Sequence, residues 1–227
     1  MKVEPLHEWH VSTAEAREIQ LRLAGQVSRI NAINNPKFVA GVDLSPPCEE
    51  GIARGAVVVF RLPELELVEV QTASARPGFP YVPGLLSFRE APVILAACEK
   101  LKLSPDFILV DGQGIAHPRR IGIASHLGLF LNIPSMGCAK SILVGKNEEV
   151  GSEIGSWSPL MDKGELIGAA LRTRKGVKPV YVSIGHRVDL EAAIHWVLAC
   201  CGGYRLPEPI RLAHLAAAGK LQVNSKS

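Results

Sequence analysis

Two acidic residues stand where apolar runs stop. Phe107-Ile-Leu-Val110 is followed at once by Asp111-Gly112-Gln-Gly114, and Phe38-Val-Ala-Gly-Val42 by Asp43. Each run reads as a short strand buried on both faces. A carboxylate at the C-terminal end of such a strand lies at the sheet edge, where α/β folds place ligands. A lone Asp-Gly leaving a strand is also an ordinary turn. Two runs of the same grammar point instead to a metal site built from oxygen ligands. Gly112 and Gly114 let the backbone turn tightly beside the second acid and leave open space there.

Two further polar residues join this pattern. Glu90 falls on the stripe Leu86, Glu90, Val93, Ala97, Leu101, near the start of a predicted helix, where the helix dipole favours an anion. A solvated first-turn glutamate is the alternative. Lys140, in Gly137-Cys-Ala-Lys140, follows another strand-like run, although a lysine in such a loop is usually a surface residue.

The segment Arg76-Pro-Gly-Phe-Pro80-Tyr81-Val82-Pro83-Gly84 is loop by every local rule, because its prolines and glycines suit neither ladder nor helix. Yet it carries Phe79, Tyr81 and Val82. Either these side chains fold back into the core, or the prolines stiffen a wedge that presents an aromatic ring to a partner.

The elements that must position these groups read as follows. Ser12 and Glu15 fit a capping box, and Ile19, Leu23, Val27 and Ile30 continue an apolar stripe, predicting a helix over 13–33. Strands are predicted at 38–43, 56–60 and 65–72, the last two as a hairpin through Leu62-Pro63-Glu64. Pro92 puts the next helix start near 89–91, since proline belongs in a first turn. A helix over 119–131 and a strand over 133–136 follow the central strand. Leu166–Leu171 and Val180–Ile184 flank a basic loop, and Asp189 caps a helix that stops at Gly202-Gly203. A last helix over 209–219 holds His214. Strands first and then alternation predict an α/β fold, a mixed central β-sheet flanked by helices.

At 227 residues, with 47% apolar and 21% charged content, the chain is long enough for a proper core and is not disordered. One domain over 1–227 is expected, with a frayed polar tail after about Gly219. A net charge of +3 permits a nucleic-acid partner without arguing for one. No secretory leader and no membrane span are visible. Five cysteines without a C-x-x-C spacing read as buried reduced thiols in a cytoplasmic protein, and zinc is not expected.

Gly-Val-Asp43, Pro80-Tyr81-Val82-Pro83-Gly84-Leu85-Leu86-Ser-Phe-Arg89-Glu90, Val110-Asp111-Gly112-Gln-Gly114-Ile-Ala-His117-Pro118 and Gly137-Cys-Ala-Lys140 occur in that order. Together they resemble endonuclease V, the deoxyinosine 3′-endonuclease family, over roughly residues 7 to 215. The resemblance implies a ribonuclease-H-like fold with a five-stranded mixed sheet. It also implies a metal-dependent endonuclease that recognises a deaminated base and cuts the second phosphodiester bond on its 3′ side, initiating DNA repair. Carried over by motif, Asp43 and Asp111 are direct metal ligands, Glu90 completes the cluster, and Lys140 stands near the scissile phosphate. Tyr81 is the wedge, with Pro80, Val82 and Pro83. Gly84, Leu85, Gly112, Gly114, His117 and Gly137 belong to substrate binding, and His214, the shortest match, is counted with the metal ligands.

The chemistry agrees with those roles. Phosphodiester hydrolysis needs an activated water and neutralised phosphoryl charge, which Mg²⁺ held by carboxylates supplies, with Mn²⁺ able to substitute. Reading a base by its Watson–Crick edge requires extruding it, and an aromatic wedge fills the gap. The expected partner is inosine-containing DNA, with RNA as the alternative, and the expected state a monomer. A non-catalytic binding module would have no use for three acids. Another nuclease of this fold would not explain the tyrosine loop.

Overall fold

The computed structural model describes residues 1–221. Of the tail expected to fray, residues 222–227 lie outside the described residues. Lys220 still closes its N–H on the Leu215 carbonyl at 2.8 Å. In chain order the elements are α1 (Thr13–Ala24), β1 (Phe38–Leu44), β2 (Ala53–Arg61), β3 (Glu66–Ala75), α2 (Leu86–Cys98), β4 (Phe107–Val110) and α3 (Ile123–Leu131). Then come β5 (Ser135–Ala139), β6 (Trp157–Asp162), β7 (Glu165–Leu171), β8 (Val180–His186), α4 (Leu190–Ala199) and α5 (Glu208–Ala217).

Among the described residues the strands form one eight-stranded sheet, in the order β3-β2-β1-β4-β5-β8-β7-β6. β1, β4 and β5 run parallel and every other pairing is antiparallel, so the sheet is mixed. The five strands implied by the resemblance are its first five, and β8-β7-β6 extend it to eight. β6 was not foreseen. It is an edge strand with Pro159 in it, which only an edge tolerates.

Alternation along β1 and β4 divides the core. Val39, Phe107 and Leu109 face Ala213 and Ile210 of α5 and Val197 of α4. Ala40, Val42, Ile108 and Val110 face Ala91 and Ile94 of α2 and Leu127 of α3. Each such aliphatic side chain contributes roughly 1.5–3 kcal/mol by leaving water. Two glycines let the helices approach. A Cβ on Gly41 would lie 2.1 Å from the Pro209 carbonyl oxygen, and one on Gly55 would lie 2.7 Å from that of Val93. α5 therefore rests directly on β1, and α2 on β2.

Two helix boundaries differ from the sequence reading. The capping box forms as expected, Ser12 Oγ accepting the Glu15 N–H and Glu15 returning a carboxylate to the Ser12 N–H. But α1 stops at Ala24 rather than continuing to 33, because its buried face is Ala16, Gln20 and Leu23. Ile30 is exposed, so nothing supports further turns. α2 begins at Leu86 rather than at 89–91, and Pro92 sits inside it. The lost backbone bond is offset by burial of Ala91, Val93, Ile94, Leu95 and Cys98.

The thiols also need a correction. Cys98, Cys138 and Cys200 are buried and unpaired as expected, whereas Cys48 is exposed and Cys201 half-buried. Among the described residues no helix is long and apolar enough to cross a membrane.

Candidate active site

Strand register brings the acids together. β1 and β4 pair with Val42 opposite Val110, so the next residues, Asp43 and Asp111, stand side by side where that pairing ends. Asp106 helps to set this register from the other end, its Oδ2 accepting the N–H groups of Lys37 and Phe38 at 2.7 and 2.8 Å. β4 and β5 pair with Val110 opposite Gly137, which delivers Lys140 to the same edge. Lys140 Nζ donates to Asp111 Oδ2 at 2.5 Å. From α5, His214 Nδ1 donates to Asp43 Oδ2 at 2.8 Å.

Glu90 reaches this edge from the second turn of α2, not from its first. Its carboxyl is pushed up to about 8 by burial, then by the charges of Asp43 and Asp111, with Arg89 opposing. Burial also raises Asp43, against the hydrogen bond from His214, and Asp111 raises it further. Two carboxyls that resist ionising, beside the carboxylate of Asp111, are a site suited to a cation. Among the described residues no three acid, histidine or cysteine side chains already stand around a common point. Asp43 is instead turned to His214, and Asp111 to Lys140. The donor set, carboxylate oxygens with one imidazole, suits a hard divalent ion.

Beside Asp111 opens a cleft of about 380 Å³ whose walls include Tyr81, Val82, Pro83, Gly84, Gly112, His117 and Lys140. The loop before it divides its aromatic residues between the two readings of the sequence. Phe79 is 4% exposed and packs on Ala16, Leu85 and Phe88, so it plugs the core. Tyr81 is 72% exposed at the rim.

Hydrogen bonds hold that loop at both ends. Arg89 Nη1 donates to the Phe79 carbonyl at 2.8 Å. The Gly84 carbonyl accepts from Gln20 Nε2 at 3.1 Å, His117 Nε2 at 3.0 Å and Arg119 Nη2 at 2.6 Å. His117 is held neutral, its pKa lowered to about 4 by burial and then by Arg119. Its Nε2 carries the proton, because that atom faces a carbonyl while Nδ1 accepts the Arg119 N–H.

The Endonuclease V family model matches residues 21–215. A curated Endonuclease V of Dehalococcoides mccartyi is 51% identical over 218 residues, 96% of this chain and 98% of that protein. The crystal structure of Endonuclease V from Streptomyces avermitilis superposes with a TM-score of 0.89 at 41% identity, covering 96% of this chain and 97% of that one. Endonuclease V of Ciona intestinalis, solved with a 24mer DNA containing an inosine followed by a ribo-adenosine, superposes at 0.78 with 28% identity, covering 91% and 96%. This chain belongs to the Endonuclease V family. The sheet and its helices are accordingly the ribonuclease-H-like fold of Endonuclease V structures, and the family is one of metal-dependent nucleases.

Within that family frame, the glycines divide by task. Gly84 and Gly112 line the cleft, whereas Gly114 and Gly137 are fixed by close backbone packing. A Cβ on Gly114 would lie 1.9 Å from the Ile184 carbonyl oxygen, and one on Gly137 would lie 2.4 Å from that of Gly112. Leu85 is fully buried beneath the loop, and Leu86 is the cleft residue.

Sequence reasoning missed the braces. Gln20 is 1% exposed and also takes Arg119 Nε on its Oε1. Its signal was a polar side chain between Ala16 and Leu23 on one helix face. Arg120 donates to the His117 carbonyl and to Glu165 and Asp162, tying the cleft loop to the β6–β7 hairpin. Ser183 Oγ accepts the Gly114 N–H at 2.8 Å. These partners are distant in sequence, and no local pattern marks them.

Proposed function

We propose that this chain is an inosine-directed endonuclease that hydrolyses the second phosphodiester bond 3′ of a deaminated base in DNA, initiating repair. The observation that carries the proposal is the adjacency of two parts, carboxylates on parallel strand ends and a cleft rimmed by an exposed tyrosine on a braced loop. Inosine in the DNA of the Ciona intestinalis complex supports the choice of base. Asp43, Asp111 and Glu90 would hold the metal, with His214, which bonds to Asp43 through Nδ1, as a further donor to the same site. When bound there, Mg²⁺, or Mn²⁺ as a substitute, would supply an activated water and charge neutralisation for the phosphoryl oxygens. Lys140 moves from Asp111 to the phosphate as a point charge. Tyr81, with Pro80, Val82 and Pro83, fills the gap left by the extruded base, which enters the cleft beside Gly84, Gly112 and His117.

The chain works as one domain over 1–227, as a monomer in the cytoplasm. A second reading, cleavage next to a ribonucleotide, is favoured by the ribo-adenosine after the inosine in the Ciona complex. One experiment tests both. Matched oligonucleotides carrying inosine or adenine, all-DNA, all-RNA or with one ribonucleotide after the inosine, are incubated with Mg²⁺ and the products mapped. Cleavage at the second bond 3′ of inosine in DNA is expected. Cleavage confined to the ribonucleotide strands would replace the substrate, and no inosine preference would overturn the proposal.

A further inference from the structure

Tyr204 lies outside the cleft, and no part of the activity above uses it. It is 48% exposed, in the loop between α4 and α5. The guanidinium of Arg211 covers its ring at 4.4 Å from the centroid. That guanidinium is itself fixed, because Nε and Nη2 both donate to Glu208 Oε2, at 3.0 and 2.6 Å. Glu208 in turn packs on Gly202, where a Cβ would come within 2.8 Å of Oε1. Arg211 therefore acts as a brace, with Nε and Nη2 engaged on Glu208, and it holds a large ring at the surface. A ring ordered before binding loses little entropy when something stacks on it.

The position of this ring gives it a task. Arg211 lies one turn before His214 on α5, so the two side chains are neighbours on one helix face. His214 bonds to Asp43. Arg205, the residue after Tyr204, donates to the Lys140 carbonyl at 2.8 Å and to that of Pro179 at 2.8 Å. The loop that carries the ring is thus tied to the Lys140 backbone and borders the helix that carries His214, while Tyr81 rims the cleft beside Asp111. On the proposed function, a strand with its base in the cleft and its phosphate at Asp43 and Lys140 would meet this loop where it passes Lys140. There Tyr204 offers a π-face that every base can use.

We propose that Tyr204, braced by Arg211, is a stacking platform for the base of a nucleotide beyond the scissile bond, so that the strand is held by an aromatic ring on each side of the cut. The proposal rests on the reading of the chain as an inosine-directed endonuclease.

The test compares inosine strands that carry normal bases 3′ of the cut with strands that carry abasic residues there. Loss of one stacked base should weaken binding and kcat/KM of the wild type by about tenfold. Tyr204→Ala should show that loss already on the normal strand and no further loss on the abasic one, a coupling that a merely structural residue would not produce. Tyr204→Trp should restore wild-type behaviour, and the melting temperature of Tyr204→Ala should stay near that of the wild type. An equal abasic penalty in wild type and Tyr204→Ala, in cleavage and in anisotropy binding, would overturn the platform. Wild-type failure to cut any inosine strand would instead fall on the proposed function, and the binding arm would still decide on Tyr204.

Discussion

The acid edge and the base cleft share a border at Asp111, yet they are built by different means. At the acid edge, backbone pairing does the placing. The β1–β4 and β4–β5 registers carry Asp43, Asp111 and Lys140 to one line, and like charges meet there at a cost in electrostatic energy. At the cleft, side-chain hydrogen bonds do the placing. Three donors from α1 and the loop after β4 converge on the Gly84 carbonyl. On the proposed function, the first region holds repulsion that a cation would relieve, and the second a shape that a base would fill. Chemistry should therefore fail when the first is cut, and recognition when the second is.

The largest break should come from Asp111→Ala or Asp43→Ala. Losing one metal-holding carboxylate removes several kcal/mol of transition-state stabilisation, roughly a thousandfold or more in kcat, with the folded state retained. Full turnover by Asp111→Ala in Mg²⁺ would end the assignment of the acid edge. Glu90→Gln should do less, about a ten- to a hundredfold loss of rate with a moderate rise in the metal concentration required. A metal titration indistinguishable from wild type would make Glu90 a bystander.

On the other side of the border, Tyr81→Ala should weaken lesion binding by about ten- to a hundredfold, the worth of one aromatic stack. The loss should be greater in paired duplex, where extrusion costs most, than in single strands. Equal losses on both substrates, together with a lowered melting temperature, would make the tyrosine a packing residue.

The smallest effect sharpens the contrast through pH. Burial lowers His126 to about 3 and His117 to about 4, from an ordinary 6.5. Between those values and 6.5 the unfolded chain binds protons that the folded one refuses, so the cleft side loses stability as pH falls below 6.5. Glu90 has the opposite sign. Raised from 4.5 to about 8, it keeps its proton in the folded state where the unfolded chain has released it. Its contribution is full below 4.5 and is lost as pH rises toward 8. In protein stripped of metal by a chelator, Glu90→Gln should flatten the decline in melting temperature toward pH 8, and His126→Gln the decline below 6.5, by a few °C each. Unchanged slopes in both variants would contradict these assignments.

What the sequence made legible follows the same division. The meeting of Asp43 and Asp111 at one sheet edge could be read because a buried strand that ends in an acid is a local pattern, and the loop around Tyr81 because prolines and glycines act locally. The reach of α1 could not, since its end depends on whether Ile30 finds anything to bury against. The start of α2 could not either, because packing of Ala91 and Ile94 on the sheet outweighs the proline rule. The irregularity in β3 could not be read either. Val59 pairs with Glu69 and Phe60 with Leu67, leaving Val68 over. Gln20 and Arg120 act through partners 64 and 45 residues away, at Gly84 and Glu165, and only the folded chain brings them together.

The division between the two regions is tested most directly by measuring single-turnover cleavage and equilibrium binding for Asp111→Ala and Tyr81→Ala on one inosine duplex. The account predicts that Asp111→Ala binds at least as tightly as wild type and does not cut. It predicts that Tyr81→Ala binds weakly but, at saturating enzyme, cuts at close to the wild-type rate. An Asp111→Ala protein that cuts, or a Tyr81→Ala protein that binds normally and cuts slowly, would contradict it.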